Sequence, residues 1–211
     1  GVDEVAHYWH PKWWIERLRA DQPLNWEQIL AAGNTHPPMC LRVNVRRASL
    51  KGYVERLAAE GIAASCVGPQ ALLLEKPVPV ERLPGFSDGE ISVQDAGAQR
   101  AAGLLELRAG QRVLDACAAP GGKCAHILES ASVELTALDA DSSRCAGIVR
   151  DQERLGLRAQ VRAADCSALD TWWDGATFER ILADVPCSAS GVARRHPDMK
   201  WLRRDTDIAA F

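Results

Sequence analysis

Four short apolar runs alternate with helical patterns between residues 113 and 184, and this rhythm leaves little choice of architecture. Val113-Leu-Asp-Ala-Cys117 reads as a buried strand that runs into a Pro-Gly-Gly turn and then a helix. Leu135-Thr-Ala-Leu-Asp139 is a second strand, followed by a helix that Ser142 is expected to cap and Gly156 to stop. Gln160-Val-Arg-Ala-Ala-Asp165 and Arg180-Ile-Leu-Ala-Asp184 read as the third and fourth, the fourth expected beside the first. Repeated strand–helix units cannot close as hairpins, so they imply a parallel sheet covered by helices, with ligands at the carboxyl ends of its strands. The expected class is α/β with a Rossmann-like sheet.

The first 90 residues have a different texture. Residues 1–36 read as a helical lead-in anchored by Trp9, Trp13, Trp14, Leu18 and Trp26. Pro37-Pro38 breaks the chain before Leu41-Arg-Val-Asn-Val45, an alternating strand pattern. Ser49 is a good N-cap for a helix carrying Leu50, Tyr53, Val54, Leu57 and Ala58 at helical spacing, and Gly61 closes it. Strands over 63–67 and 71–74 complete a small α+β module, and Pro77, Pro79 and Pro84-Gly85 mark the linker that ends it. The expected organisation is a lead-in over 1–36, the α+β module with its linker over 37–86, and the α/β region over 87–211.

Charge and cysteine usage narrow the function classes. A net charge of −3 argues against coating nucleic acid by bulk electrostatics. The basic residues are uneven, with five Lys among the 25 Lys and Arg. Arg194, Arg195, Lys200, Arg203 and Arg204 cluster against Asp198 alone over 191–204, a local patch suited to phosphates. The seven cysteines are scattered with no CxxC pair, which excludes a zinc ribbon and favours reduced thiols in the cytoplasm. No metal site is expected, and no apolar run is long enough for a membrane span.

Three segments carry chemistry. In Asp115-Ala-Cys-Ala-Ala-Pro-Gly-Gly-Lys123, small residues and paired glycines let the backbone approach a ligand, while the helix N-terminus offers N–H groups to an anionic end. A phosphate loop would need Gly at 117 and Ser or Thr at 124, where Cys stands in both, and the dinucleotide fingerprint G-x-G-x-x-G is absent. Asp139 ends the second strand where nucleotide-binding folds place a carboxylate for ribose hydroxyls. Asp165, ending the third, could reach an adenine amino group. Asp184-Val-Pro-Cys-Ser-Ala-Ser-Gly191 sets a carboxylate and the Cys187 thiol three residues apart on a Pro-bent loop, able to face a flat substrate.

These segments closely resemble the RNA (cytosine-5)-methyltransferase family, which uses S-adenosyl-L-methionine. The likeness extends through Trp13-Trp14, Pro37-Pro38-Met39, Leu83-Pro-Gly-Phe86, Val93-Gln-Asp95 and Arg194-Arg-His-Pro-Asp-Met-Lys-Trp-Leu-Arg-Arg204, so it covers nearly the whole chain and points to the branch acting on 16S ribosomal RNA. The resemblance implies an RNA-facing α+β module followed by the N-terminal part of a methyltransferase domain. Cys117, Ala118, Ala119, Pro120, Gly121, Gly122 and Lys123 would cradle the methionine end of the cofactor, Asp139 its ribose and Asp165 its adenine. Asp184 would lie by the sulfonium and orient the target cytosine, Cys187 would assist breakdown of a covalent adduct, and the basic patch would meet RNA.

In the family the attacking cysteine lies on a later Thr-Cys-Ser segment. No Thr-Cys dipeptide occurs in these 211 residues. The chain is therefore expected to be a fragment, without the family's N-terminal helical RNA-binding domain and inactive alone. Rival readings are an RNA cytosine-5 methyltransferase acting on transfer RNA or another ribosomal site, a non-catalytic RNA-binding remnant, and a nicotinamide-dependent oxidoreductase. The last is disfavoured by the missing glycine fingerprint.

Overall fold

Local sequence sets the first helices and strands. In the computed structural model, which describes residues 3–210, the lead-in forms α1 (Glu4–Tyr8), α2 (Lys12–Asp21) and α3 (Trp26–Gly33). Asp3 caps α1, its carboxylate accepting from the Val5 N–H at 3.0 Å. The chain divides into two compact units, residues 1–37 with 186–211, and residues 38–185. In the first unit Ile15 and Leu30 are buried, and α8 (Met199–Leu202) is flanked by short 3₁₀ turns.

The second unit begins with β1 (Met39–Val43), which ends two residues earlier than the sequence pattern suggests. The side chain of Asn44 explains this, because its Oδ1 accepts from the Arg46 N–H at 3.1 Å and turns the chain. Helix α4 (Leu50–Ala59) is capped by Ser49 and buries Tyr53 and Leu57, one turn apart. Gly61 adopts φ +71 beyond its end, and β2 (Ala64–Cys66) and β3 (Ala71–Leu74) follow. Three residues that no sequence pattern marks as a strand, β4 (Ile91–Val93), then pair antiparallel with β1 and complete a four-stranded sheet in the order β2-β3-β1-β4. Leu41, Val43, Leu57, Leu72 and Ile91 form its core.

After α5 (Ala96–Leu104) the expected rhythm appears as β5 (Arg112–Asp115), α6 (Gly122–Ser130), β6 (Glu134–Asp139), α7 (Ser142–Leu155), β7 (Gln160–Ala163) and β8 (Arg180–Leu182). All pairings are parallel, in the order β7-β6-β5-β8, so the fourth strand does lie beside the first. Strand order therefore reverses at β5, where α/β sheets open a crevice for ligands. The cap of α7 is Asp141 rather than Ser142. Its carboxylate accepts from the Ser143 and Arg144 N–H groups at the positive end of the helix dipole, where an anion is the stronger acceptor. Gly156 ends the helix at φ +67, as expected. One face of the sheet packs Val113, Ile127, Leu135 and Ile148; the other packs Leu114, Leu138 and Trp172.

The buried Arg42 of β1 joins the two sheets. Its guanidinium donates to both Glu129 carboxylate oxygens at 2.8 Å, to Gln94 Oε1 at 2.5 Å and to the Gly122 carbonyl at 2.8 Å. Both charged side chains are almost wholly buried, with 0% and 1% exposure. The small sheet is thereby tied to the first residue of α6, the helix that opens the crevice.

Candidate functional site

The turn after β5 is built for close approach. Gly121 has φ +106, a conformation that side chains rarely adopt, and a Cβ there would stand 3.5 Å from Ile148. The Ala118 N–H donates to the Leu138 carbonyl at 2.7 Å, so Cys117, Ala118, Ala119 and Pro120 are laid across the end of β6. Gly122 and Lys123 open α6, a nine-residue helix whose first N–H groups face the crevice end.

Asp139 organises this turn. Its Oδ2 accepts from the Ala119 N–H at 3.1 Å, and its Oδ1 accepts from the Asp141 N–H at 3.1 Å and from Arg144 at 3.4 Å. Arg144 also donates to the Ala119 carbonyl at 3.0 Å. The carboxylate retains lone pairs beyond these bonds. Across the turn, Lys123 forms an ion pair with Asp184, which follows β8. Asp165 lies past the end of β7 and accepts from the Ser167 N–H and hydroxyl at 2.8 and 2.7 Å, which hold its carboxyl below the usual range. Burial and the adjoining Cys166 thiol push the Cys117 thiol up.

Two residues gain a place here that the sequence did not assign. Arg144 is one. The other is Asp115, written into the motif but given no role, which is 1% exposed and has no well-formed hydrogen bond to either carboxylate oxygen. Burial raises its pKa to about 7; Lys123 and the Cys117 N–H pull it down, while Asp184 and Asp139 push it up. Three carboxylates thus share one region with Lys123 and Arg144. Such a crevice suits a ligand bearing cationic centres, and the α6 N-terminus suits its anionic end.

The other candidates belong to the first unit. Cys187 is an exposed free thiol whose Sγ lies 3.4 Å from the Ala189 nitrogen. Arg195 and Arg204 are exposed, and Arg194 and Arg203 half-buried. Lys200 differs from the solvated cation expected of a charge run: it is 4% exposed and donates to Asn34 Oδ1 at 2.7 Å.

Sheet order, glycine turn and strand-end carboxylates define the second unit's parallel sheet as a Rossmann-like, ligand-binding α/β sheet. The model of the 16S rRNA methyltransferase RsmB/F family matches residues 102–211, and that of the RsmF/B-like ferredoxin-like domain matches 10–81. The chain belongs to the 16S rRNA methyltransferase RsmB/F family.

A curated relative from Pseudomonas syringae pv. tomato, ribosomal RNA small subunit methyltransferase B, is 50% identical over 99% of this chain and 48% of its own length. The chain spans about half the length of the curated relatives it matches. Among solved structures, the protein designated PH0851 is 25% identical with a TM-score of 0.92, covering 99% of this chain and 48% of that one. A methyltransferase homolog protein from Pyrococcus horikoshii shares the fold at 24% identity and a TM-score of 0.78, over 94% and 67%.

Proposed function

We propose that this chain carries the cofactor half of an S-adenosylmethionine-dependent methyltransferase acting on carbon 5 of a cytosine in 16S ribosomal RNA. What carries the reading is the acid-rich glycine crevice of a family member, with Asp115 buried beside it and given no well-formed hydrogen bond. S-adenosylmethionine would bring a sulfonium and an ammonium to these carboxylates, together with a carboxylate for the start of α6. Residues Cys117 to Lys123 would hold its methionine end, Asp139 its ribose and Asp165 its adenine; the bound group supplies an electrophilic methyl.

The chain's own residues do the rest. Asp139 keeps the turn open by holding the Ala119 and Asp141 N–H groups. Lys123 pairs with Asp184, which would accept from a cytosine ring edge once that pairing relaxes. Cytosine carbon 5 becomes nucleophilic only after a thiolate adds at carbon 6. The resemblance assigns that attack to a Thr-Cys-Ser segment, which does not occur in these 211 residues. It gives Cys187 the later task of assisting release, and Arg194, Arg195, Lys200, Arg203 and Arg204 the RNA phosphates.

Calorimetric titration with S-adenosylmethionine tests the cofactor assignment. Binding is expected for the wild-type chain, and Asp139→Ala is expected to weaken it by about tenfold to a hundredfold, the range for a charge-assisted hydrogen bond. A folded chain that binds no cofactor would overturn the assignment.

A further inference from the structure

The first unit contains a cavity of about 930 Å³ that the proposed reaction does not use. Among its lining residues are Trp9, His7, His36, Asn34, Arg194 and Lys200, and no carboxylate lines it among the described residues. Trp9 is 69% exposed, on a residue with φ 56 and ψ 39. A bulky side chain in that left-handed region is an outlier that its surroundings must hold in place.

A hydrogen-bond network around the preceding carbonyl does so. The carbonyl of Tyr8, the residue before Trp9, accepts from His10 Nδ1 at 2.6 Å and from Asn34 Nδ2 at 2.8 Å. Asn34 in turn accepts from Lys200 through its Oδ1 at 2.7 Å. His10 is buried and its pKa lowered, so a neutral ring donates through Nδ1. Lys200 has an amide partner but, among the described residues, no ion pair. Its buried charge faces a cavity that no described carboxylate lines. A cation held this way is stabilised by a bound anion, and an exposed indole beside it offers a stacking surface.

We propose that this cavity binds one unpaired nucleotide of a single-stranded RNA segment, with the base stacked on Trp9 and the phosphate held by Arg194 and Lys200. The proposal rests on RNA being the partner, and adds to the basic patch an aromatic platform outside it. Stacking accepts any base, so the site selects unpaired RNA rather than a particular sequence.

The test is fluorescence anisotropy of the full 211-residue chain with a labelled six-uridine RNA over a salt series. Trp9→Leu is expected to weaken binding about tenfold or more while the slope of affinity against salt stays that of wild type. Trp9→Phe should keep most of the affinity. Arg194→Gln should flatten the salt slope by about 0.7, the value for one phosphate contact on a single strand. Both side chains can be replaced without opening the core; Lys200→Met, which could unfold the unit, is read only where its thermal midpoint matches wild type.

Unchanged affinity in Trp9→Leu would overturn the proposal. So would displacement of the RNA by polyglutamate at equal charge, because the surface would then read charge alone. Cofactor titration separates this from the proposed reaction. RNA bound through Trp9 by a chain that ignores S-adenosylmethionine sinks the cofactor reading and leaves this one standing. Cofactor binding with an RNA affinity indifferent to Trp9 does the reverse.

Discussion

Replacing Arg42 by Met is expected to destabilise the unit spanning residues 38–185 by about 3–5 kcal/mol, the usual cost of stranding one member of a buried ion pair. The guanidinium satisfies both Glu129 oxygens, Gln94 Oε1 and the Gly122 carbonyl at once. Methionine takes the guanidinium from both oxygens of the buried Glu129 carboxylate and from Gln94 Oε1. A loss of that size is a large fraction of the roughly 5–15 kcal/mol that holds a domain folded. Urea unfolding followed by circular dichroism measures it.

The double variant Arg42→Met with Glu129→Leu should recover most of the loss, because two apolar groups need no partners. Recovery would show that the pair specifies how the small sheet meets α6 more than it adds net stability. Should Arg42→Met alone prove neutral, the charges in the folded protein would have to be hydrated, contrary to their burial. The single variant should also weaken cofactor binding, since it removes the guanidinium's bond to the Gly122 carbonyl, at the end of the glycine turn.

The parallel sheet was legible because buried strands between helices read as continuous apolar runs, and the glycines of 121 and 122 announced the turn. The same logic hides short edge elements. Ile91-Ser-Val93 is too brief to show a period, and its pairing with β1 spans about fifty residues of chain. Arg42 is a sharper case. In Leu41-Arg-Val43 the alternation assigns it to solvent, yet its side chain reaches Glu129 and Gly122 of α6, so the residue read as polar and outward is fully buried. Within the crevice, sequence could place carboxylates at strand ends but not say which were partnered. Asp165 is engaged by Ser167, Asp139 by the Ala119 turn 20 residues away, and Asp115 by no well-formed hydrogen bond, a distinction set by the backbone. The basic patch shows the same limit: five cations in a short run suggest a solvated face, whereas Lys200 turns inward to Asn34.

Asp115 gives the clearest dependence on pH. An aspartate that titrates near 3.9 when unfolded and at about 7 when folded keeps a proton in the native state that the unfolded chain has released. Native protein therefore binds more protons between those values, and its stability falls as pH rises through that window, levelling off above about 7. From about pH 5 to about pH 8 this one group should remove about 3 kcal/mol, at 1.36 kcal/mol per unit. Asp115→Asn keeps the shape and discards the charge, so the variant should gain on wild type by that amount across the same interval, as urea unfolding at both ends would register. Equal pH dependence in the two proteins would mean that Asp115 is ionised and solvated in the fold. A cationic ligand in the crevice reverses the balance by favouring the carboxylate. Binding of S-adenosylmethionine at about pH 6.5 is thus expected to release a proton, seen as a calorimetric heat that varies with the ionisation enthalpy of the buffer. In Asp115→Asn that release should vanish and the affinity fall, because the opposite charge that the cofactor's cationic groups would meet is gone.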